Sequence, residues 1–434
     1  MSKKQNITIE DIRKFSKLYN SNLDNKKIEK EITSKGLESA CLNKDIINEN
    51  KTTFNVQLPE SIRYDQKYNS QCWIYSGLNF IKYNIANNLK INLLDFKLSN
   101  NYLAFFDKLE KSNSIYEDII KLKKVDFDYI NNHEIVSVHE VGFWQLFVNL
   151  INKYGIVPYE CMPDSVESLN SEKIYDVYSE KIKKDVFDLI QLKEKQVSIN
   201  ELKKVKKIFL QEDYIFLSKI LGEPVQQFDY KYTDKNSKSV CFNNITPVEF
   251  KNKYLTLNLS DFILIGNIPK YNKTLNKIYL KDYWQVGFQF FNLSIEELKK
   301  FAIKQLKDNI PVCVGLYIYK YRDFTSRVLD TRLYKYEEML DLKKLTKEEA
   351  LNSLAISMHH FVNLIGVNIE NNKPQRWKVE DSFGDKDKFN GCYIMNDNYF
   401  SEFVLSGVIN KKYLSKNQLE LLNNKVIKFK DSIF

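Results

Sequence analysis

The chain has 434 residues, of which 43% are hydrophobic, 65 are basic and 56 are acidic. This length and hydrophobic content allow a large core and two or three domains, while 12 glycines and 8 prolines leave no obvious linker. The formal charge of +9 is modest for this length, so composition argues against a protein dedicated to nucleic-acid binding. The chain lacks a run of 18 apolar residues and an apolar segment after Met1, so we expect a cytoplasmic protein without a membrane span.

The first predicted element is a helix near the N-terminus. Residues 8–11 (Thr-Ile-Glu-Asp) have the pattern of a capping box, and Ile12, Phe15 and Tyr19 follow at helical spacing. This pattern predicts a structural helix and not a secretory signal.

A second predicted helix begins at about residue 72. The apolar residues of one predicted face are Trp73, Ile74, Leu78, Ile81 and Ile85. Cys72 would therefore lie at a helix N-terminus, where the helix dipole favours a thiolate. A cysteine at such a position can also be a small buried hydrophobic residue, so this motif alone leaves both interpretations open.

Gln66 precedes this cysteine by six residues, in the turn that leads to the helix. A side-chain amide at this position can act together with the backbone N–H of Cys72 to hold an oxyanion. Gln66 is therefore a candidate for stabilising a tetrahedral intermediate.

The next strongly periodic region is helical and runs from about Ser171 to Leu221. The sequence Gly222-Glu223-Pro224 is expected to end it. The lysines at 203–207 in this region are most simply the solvated face of a helix, with a nucleic-acid contact as the weaker alternative.

Two predicted strands near the C-terminus carry polar residues at their ends. His359 and His360 begin the apolar run 361–367, and a second strand at 376–380 leads into Asp381 and a glycine turn. Neighbouring side chains of a strand point to opposite faces, so only one of the two histidines can face a cleft. Asp381 is placed to orient its imidazole, which gives the set Cys72, His360 and Asp381.

The remaining reactive residues predict neither a metal site nor disulfides. The six cysteines are scattered and lack paired metal spacing, so we expect reduced thiols. His133 and His139 are each followed by Glu, but their spacing differs from His-Glu-x-x-His. We therefore expect no metal and no cofactor.

The order Gln66, Cys72-Trp73, His360 and Asp381-Ser382-Phe383-Gly384 resembles the papain-like cysteine peptidases. The stretch from Gln66-Lys67 to Leu78-Asn79 resembles one branch, the bleomycin hydrolase and aminopeptidase C family. Further segments that resemble this family lie at 142–144, 148–151, 153–158, 162–165, 246–250 and 311–315. The likeness extends from about residue 8 to about residue 420.

The resemblance implies catalytic roles for four residues. Cys72 would be the nucleophile, Gln66 the oxyanion donor, His360 the acid and base, and Asp381 the orienting group. His360 is preferred over His359 because the family's histidine precedes the strand glycine, here Gly366, by six residues. The implied reaction is attack on a peptide carbonyl, an acyl-enzyme, and hydrolysis by water.

The sequence departs from the family's pattern at four places. Asp381 replaces the usual Asn, Phe383 replaces Trp, and Ser70 and Gln71 replace Gly and Arg. The family's C-terminal carboxylate receives the substrate's ammonium, a role that would fall to Phe434. The C-terminal tail at 429–434 also differs from the family's tail, which resembles Trp-Asp-Pro-Met-Gly followed by a few small residues. If Asp431 aligns with that aspartate, the chain ends about three residues early, or about 10 Å at about 3.3 Å per residue, which predicts a relaxed, partly endopeptidase-like specificity.

The resemblance also implies the fold, which we expect to be α+β. It would be a single papain-like unit over 1–434, with a helical subdomain, a catalytic helix from about 72 and a β-barrel-like subdomain at about 306–410. About 290 residues separate Cys72 from His360, against roughly 130 to 150 in simple papain-like enzymes, so we expect a large, mainly helical insertion at about 165–305. A C-terminal arm would occupy about 411–434.

The resemblance implies peptide substrates and a homo-oligomer, in the form of a hexameric ring. Two alternatives stay open: a binding protein that has lost catalysis, and a relative that binds nucleic acid.

Overall fold

The computed structural model describes residues 6–122, 138, 140–269, 274–278, 288–384, 391–423 and 427–428. Within these residues the protein is a mixed α/β structure in which helices pack against one large sheet. The helices are α1 (Ile9–Ser21), α2 (Leu23–Lys35), α3 (Leu37–Cys41), α4 (Lys44–Glu49), α5 (Cys72–Leu89), α6 (Asn100–Lys121), α7 (Trp144–Tyr154), α8 (Val166–Leu169), α9 (Glu172–Glu194), α10 (Ile199–Leu221), α11 (Pro247–Tyr254), α12 (Ile295–Lys307), α13 (Tyr336–Met339), α14 (Lys347–Asn352), α15 (Asp397–Phe403) and α16 (Lys416–Leu421).

The strands are β1 (Val56–Gln57), β2 (Phe228–Thr233), β3 (Ser239–Ile245), β4 (Phe262–Gly266), β5 (Thr274–Ile278), β6 (Phe288–Asn292), β7 (Val312–Leu316), β8 (Arg322–Asp323), β9 (Val328–Leu329), β10 (His360–Glu370), β11 (Lys373–Glu380), β12 (Cys392–Asn396), β13 (Val404–Asn410) and β14 (Ile427–Lys428). Twelve of the described strands form one sheet in the order β14-β5-β6-β4-β13-β7-β10-β11-β12-β9-β8, with β1 paired to β10. Strands β2 and β3 form a separate hairpin.

The centre of this sheet consists of β7, β10 and β11, and the middle strand β10 runs antiparallel to both of its neighbours. His360 lies opposite Leu316 in the pairing of β10 with β7, and Asn363 lies opposite Glu380 in the pairing with β11. Most residues of β10 are buried, in agreement with the continuous apolar run that predicts a fully buried strand. Its first residue and the residue that follows β11 are the predicted histidine and aspartate.

Helix α5 lies against this part of the sheet and is almost entirely buried. Asn363 of β10 donates its side-chain N–H to the carbonyl of Ser76 in α5 at 2.9 Å. On its other side α5 approaches α7 so closely that a Cβ at Gly77 would lie 2.6 Å from the ring of Phe147. The hydrogen bond joins the first half of α5 to the first half of β10, and the close approach of Gly77 to Phe147 packs α5 against α7.

The predicted helical region at 171–221 consists of α9 and α10, and Gly222 ends α10 with a φ of 89°. A glycine adopts this backbone conformation without steric cost, as the sequence pattern predicts. Strands β4 and β6 also lie within 165–305, and both belong to the large sheet. The segment expected to be an insertion is thus partly built into the central sheet.

The predicted N-terminal helix is α1, and its capping box is formed by Thr8 and Asp11. The helix buries none of its residues, and Ile12 and Phe15 are 51% and 56% exposed. Over the described ranges, no helix combines the length and apolar character needed to cross a membrane.

Candidate active site

Cys72 is the first residue of α5, and its side chain is buried with 8% of the residue exposed. The backbone N–H groups of Ile74 and Tyr75 donate to the carbonyl of Gln71 at 2.9 and 3.2 Å, which closes the first turn. The first N–H groups of a helix lack intrahelical acceptors, so the N–H of Cys72 is available to a ligand. The helix dipole adds partial positive charge beside the sulfur.

His360 lies at the start of β10 and is 6% exposed. Its Nε2 is 2.7 Å from Oδ1 of Asp381, which leaves Nδ1 for the sulfur of Cys72. Burial alone would lower the pKa of His360, but the Asp381 carboxylate and the Cys72 sulfur outweigh burial and raise this pKa to about 10. The arrangement therefore holds an imidazolium against the sulfur at neutral pH.

Asp381 follows β11 and is 1% exposed. Its Oδ1 also accepts the backbone N–H of Ser382 at 2.8 Å. Burial raises the pKa of Asp381, but the imidazolium of His360 and this N–H outweigh burial, so the net pKa lies below its usual value. The carboxylate therefore stays ionised beside His360, and the ring of Phe383 stacks on the imidazole with centroids 5.7 Å apart.

Gln66 is buried, and three contacts fix its position. Its backbone N–H donates to the carbonyl of Ser382 at 2.7 Å, and its side-chain oxygen accepts the hydroxyl of Ser382. Its Nε2 donates one proton to the carbonyl of Asn69 at 2.8 Å. Because that nitrogen carries two protons, the second can serve an oxyanion, as the sequence predicts for this residue.

The second histidine of the pair points the other way. His359 is exposed, and its ring lies 5.4 and 5.5 Å from the rings of Tyr317 and Tyr319. The alternation along the chain thus separates the two histidines as expected from strand geometry. His360 is the one that the fold brings to Cys72 and Asp381.

Two residues that touch the site were not singled out for it by the sequence. Ser382 joins Gln66 to the Asp381 turn, although the sequence drew attention to it only as part of a motif. Glu140 is buried and accepts the backbone N–H of Ser70 at 2.9 Å and the side chain of Gln71 at 2.6 Å. No local sequence signal connects Glu140 with the turn before Cys72, because some 70 residues separate them and only the fold brings them together.

Other predicted residues lie elsewhere or outside the described residues. Phe434, His133 and His139 fall outside the described residues. No group of three metal-ligating side chains occurs in the part of the chain that the structure describes. In the lysine cluster of α10, Lys204 is exposed and pairs with Glu201 of the same helix, whereas Lys206 is partly buried and pairs with Glu117 of α6.

The chain is similar to known peptidases over nearly its whole length. Residues 6–432 match the Peptidase C1-like family. The chain is 32% identical to aminopeptidase G of Lactobacillus delbrueckii subsp. lactis, over 96% of each sequence. It is 30% identical to aminopeptidase C of Listeria innocua, over 98% of the chain and 97% of the relative.

The fold is similar to a crystal structure of PepW from Lactobacillus rhamnosis HN001, with a TM-score of 0.90 and 30% identity over 98% of each chain. The predicted resemblance and the papain-like fold, as a mixed α/β structure with a large sheet, are thereby confirmed. The chain therefore belongs to the Peptidase C1-like family of cysteine peptidases.

Proposed function

We propose that this protein hydrolyses short peptides with Cys72 as nucleophile, His360 as acid and base, Asp381 as orienting group and Gln66 as oxyanion donor. The protein is an aminopeptidase-type cysteine peptidase, as are its relatives over nearly the whole chain. The observation that carries the assignment of residues is the buried His360–Asp381 pair at the N-terminus of the helix that bears Cys72.

The proposed reaction has two stages. The thiolate of Cys72 attacks the peptide carbonyl carbon, and the oxyanion that forms is held by the Cys72 N–H and the Gln66 amide. The C–N bond then breaks, and the imidazolium of His360 gives its proton to the departing amine. In the second stage His360 takes a proton from water as the water oxygen attacks the thioester carbon. The C–S bond then breaks, the acid is released, and Cys72 leaves as the thiolate beside the imidazolium of His360.

A peptide with a free N-terminus and its N-acetylated twin test this proposal. We expect stepwise release of residues from the free peptide and identify the products by mass. Internal cuts, or cleavage of the acetylated peptide, would show the relaxed specificity that the altered tail predicts. No cleavage of either peptide, together with no labelling of Cys72 by a thiol-alkylating peptide reagent, would favour the alternative of an inactive binding protein.

We also propose that the chain is one elaborated unit, with its insertion at about 165–305. The helical hairpin of α9 and α10 supports a mainly helical character for the first part of this segment. Strands β2 to β6, helix α11 and the start of α12 follow in this segment, and β4, β5 and β6 tie it to the central sheet. Limited proteolysis that releases no stable fragment is expected of a single unit.

A homo-oligomer is the further part of the proposal. Helices α1 and α2 bury none of their residues, and the apolar side chains that they leave exposed include Ile9, Ile12, Phe15, Leu18 and Leu23. An apolar surface of this kind is typical of a protein–protein interface. Light scattering should give a mass that is a multiple of the 51.5 kDa chain mass. Phe15→Asp should lower this measured mass, because it places a charge in the apolar surface. A monomeric wild-type protein would contradict this expectation.

A further inference from the structure

The turn before Cys72 is held by a buried carboxylate that the proposed reaction does not use. Glu140 is 7% exposed, and its two oxygens accept four hydrogen bonds. Oε2 accepts the backbone N–H of Ser70 at 2.9 Å and the hydroxyl of Ser171 at 2.5 Å. Oε1 accepts Nε2 of Gln71 at 2.6 Å and Nζ of Lys108 at 2.5 Å. Two of these four donors belong to the residues directly before the nucleophile.

The backbone around Glu140 holds the other side of the nucleophile. The carbonyl of Glu140 accepts the indole N–H of Trp73 at 2.7 Å. A Cβ at Gly142 would lie 2.2 Å from the ring of Trp73, so the segment packs directly on that indole. Glu140 therefore contacts residues on both sides of Cys72.

The carboxylate is charged, and its counter-ion is also buried. Burial raises the pKa of Glu140, but the ammonium of Lys108 and the hydrogen bonds from Ser171 and Ser70 outweigh burial and lower this pKa to about 2. Lys108 is only 3% exposed. Asn100, on the same helix as Lys108, donates to the side-chain oxygen of Gln71 at 2.6 Å, so both ends of the Gln71 amide are fixed.

We propose that Glu140 is a positioning residue that fixes the peptide between Gln71 and Cys72, so that the N–H of Cys72 points at the oxyanion. The proposal rests on the proposed function, because it requires Cys72 to be the nucleophile. The physical reason is the number of acceptors. A carboxylate has two oxygens for four donors. An amide at the same position has one oxygen, and its NH2 group would face the donors of one pair, either Gln71 and Lys108 or Ser70 and Ser171.

The test compares a transition-state mimic with a reaction that needs no oxyanion hole. An aminoacyl aldehyde adds to the Cys72 thiol: the sulfur bonds to the aldehyde carbon, and the carbonyl oxygen takes the place of the oxyanion. Iodoacetamide alkylates the same sulfur with loss of iodide and forms no oxyanion. In Glu140→Gln we expect aldehyde affinity and kcat to fall at least tenfold, while KM and the alkylation rate change less than about threefold.

Glu110→Gln is the matched control, because Glu110 is an equally buried carboxylate that accepts from Lys153 and Tyr154 and not from the turn. The double variant Glu140→Gln/Lys108→Met removes the unpaired ammonium. It should regain thermal stability relative to Glu140→Gln without regaining aldehyde affinity. If Glu140→Gln does not fold, Gln71→Ala, which leaves the Lys108–Glu140 pair intact, should show the same selective loss to a smaller degree.

Two results would overturn the inference. One is a Glu140→Gln protein whose aldehyde affinity matches that of Glu110→Gln. The other is a parallel fall of aldehyde affinity, alkylation rate and thermal stability, with aldehyde affinity restored in the double variant, which would indicate a structural role alone. A wild-type protein that neither hydrolyses peptides nor binds the aldehyde would instead contradict the proposed function, so the two failures are distinguishable.

Discussion

Replacement of Asp381 by Asn tests how the carboxylate sets the protonation of His360. The charges lie 2.7 Å apart, which corresponds to about 6 kcal/mol at an effective dielectric constant near 20. A rise of the His360 pKa from 6.5 to about 10 corresponds to about 5 kcal/mol in favour of the imidazolium. The second figure is slightly smaller than the first because burial of the ring disfavours the imidazolium and so opposes the attraction. Asn keeps a hydrogen-bond acceptor but removes the charge.

We expect Asp381→Asn to move the alkaline limb of kcat/KM down by about 1 to 3 pH units, since an adjacent opposite charge shifts a pKa by that amount. The assay is hydrolysis of an aminoacyl amide between pH 5 and 11, with the rate of Cys72 alkylation measured in parallel. Asp330→Asn is the matched control, because Asp330 is fully buried but its partners are Arg332, Asn50 and Asn398.

The same substitution has a predicted effect on stability. Because the pKa of His360 is higher in the folded protein than in the unfolded chain, protonation of His360 contributes to the free energy of unfolding. This contribution is fully present below pH 6.5 and is lost as the pH rises toward about 10. In that window the folded protein binds one more proton than the unfolded chain, so the free energy of unfolding should fall by about 1.4 kcal/mol per pH unit. Because Asp381→Asn lowers the pKa of His360, the pH range over which stability is lost should be narrower in this variant. An alkaline limb and a stability profile that both stay in place would refute the coupling of Asp381 to His360.

The remaining predictions concern the nucleophile, the oxyanion donor and one glycine. Cys72→Ala should leave less than about 1% of the peptidase activity with the fold intact. The control Cys241→Ala, at an exposed thiol, should keep full activity. Turnover above about 1% in Cys72→Ala would exclude Cys72 as nucleophile. Gln66→Ala should lower kcat about 10²- to 10³-fold, or about 2.7 to 4 kcal/mol, and an unchanged kcat would remove Gln66 from the mechanism. Gly155→Ala should lower the free energy of unfolding by about 1 to 3 kcal/mol, because φ is +78° and the new Cβ would lie 2.2 Å from the carbonyl carbon of Pro247. Gly36→Ala, with φ of +82° and open space, measures the backbone strain alone, so equal losses in the two variants would argue against the steric clash.

The site is assembled by residues far apart in the chain, and this limits what sequence patterns can find. Local patterns identify the helix that begins at Cys72, the buried strand that begins at His360 and the turn after Asp381, since each depends on periodicity and end signals within a few residues. The choice between His359 and His360 also follows from the sequence, through strand alternation and the resemblance. The family membership was inferred from motifs of this kind and is confirmed by the comparisons.

The contacts of Glu140 and Ser382 could not be predicted in this way. Glu140 reaches the turn at residues 70 and 71 only because α6, the start of α9 and the segment before α7 converge there. A single hydrogen-bond acceptor has no periodic sequence pattern by which it could be recognised. The sequence also could not predict that β4 and β6 belong to the central sheet, because this depends on pairing between strands, such as β4 and β13, that lie far apart in the chain. The sequence by itself predicted the candidate site residues and determined the helix and strands that hold them, because helix and strand signals are local properties. The tertiary structure decided how the turn before Cys72 is held and how the sheet is built, because hydrogen bonds between distant segments depend on the whole packed fold.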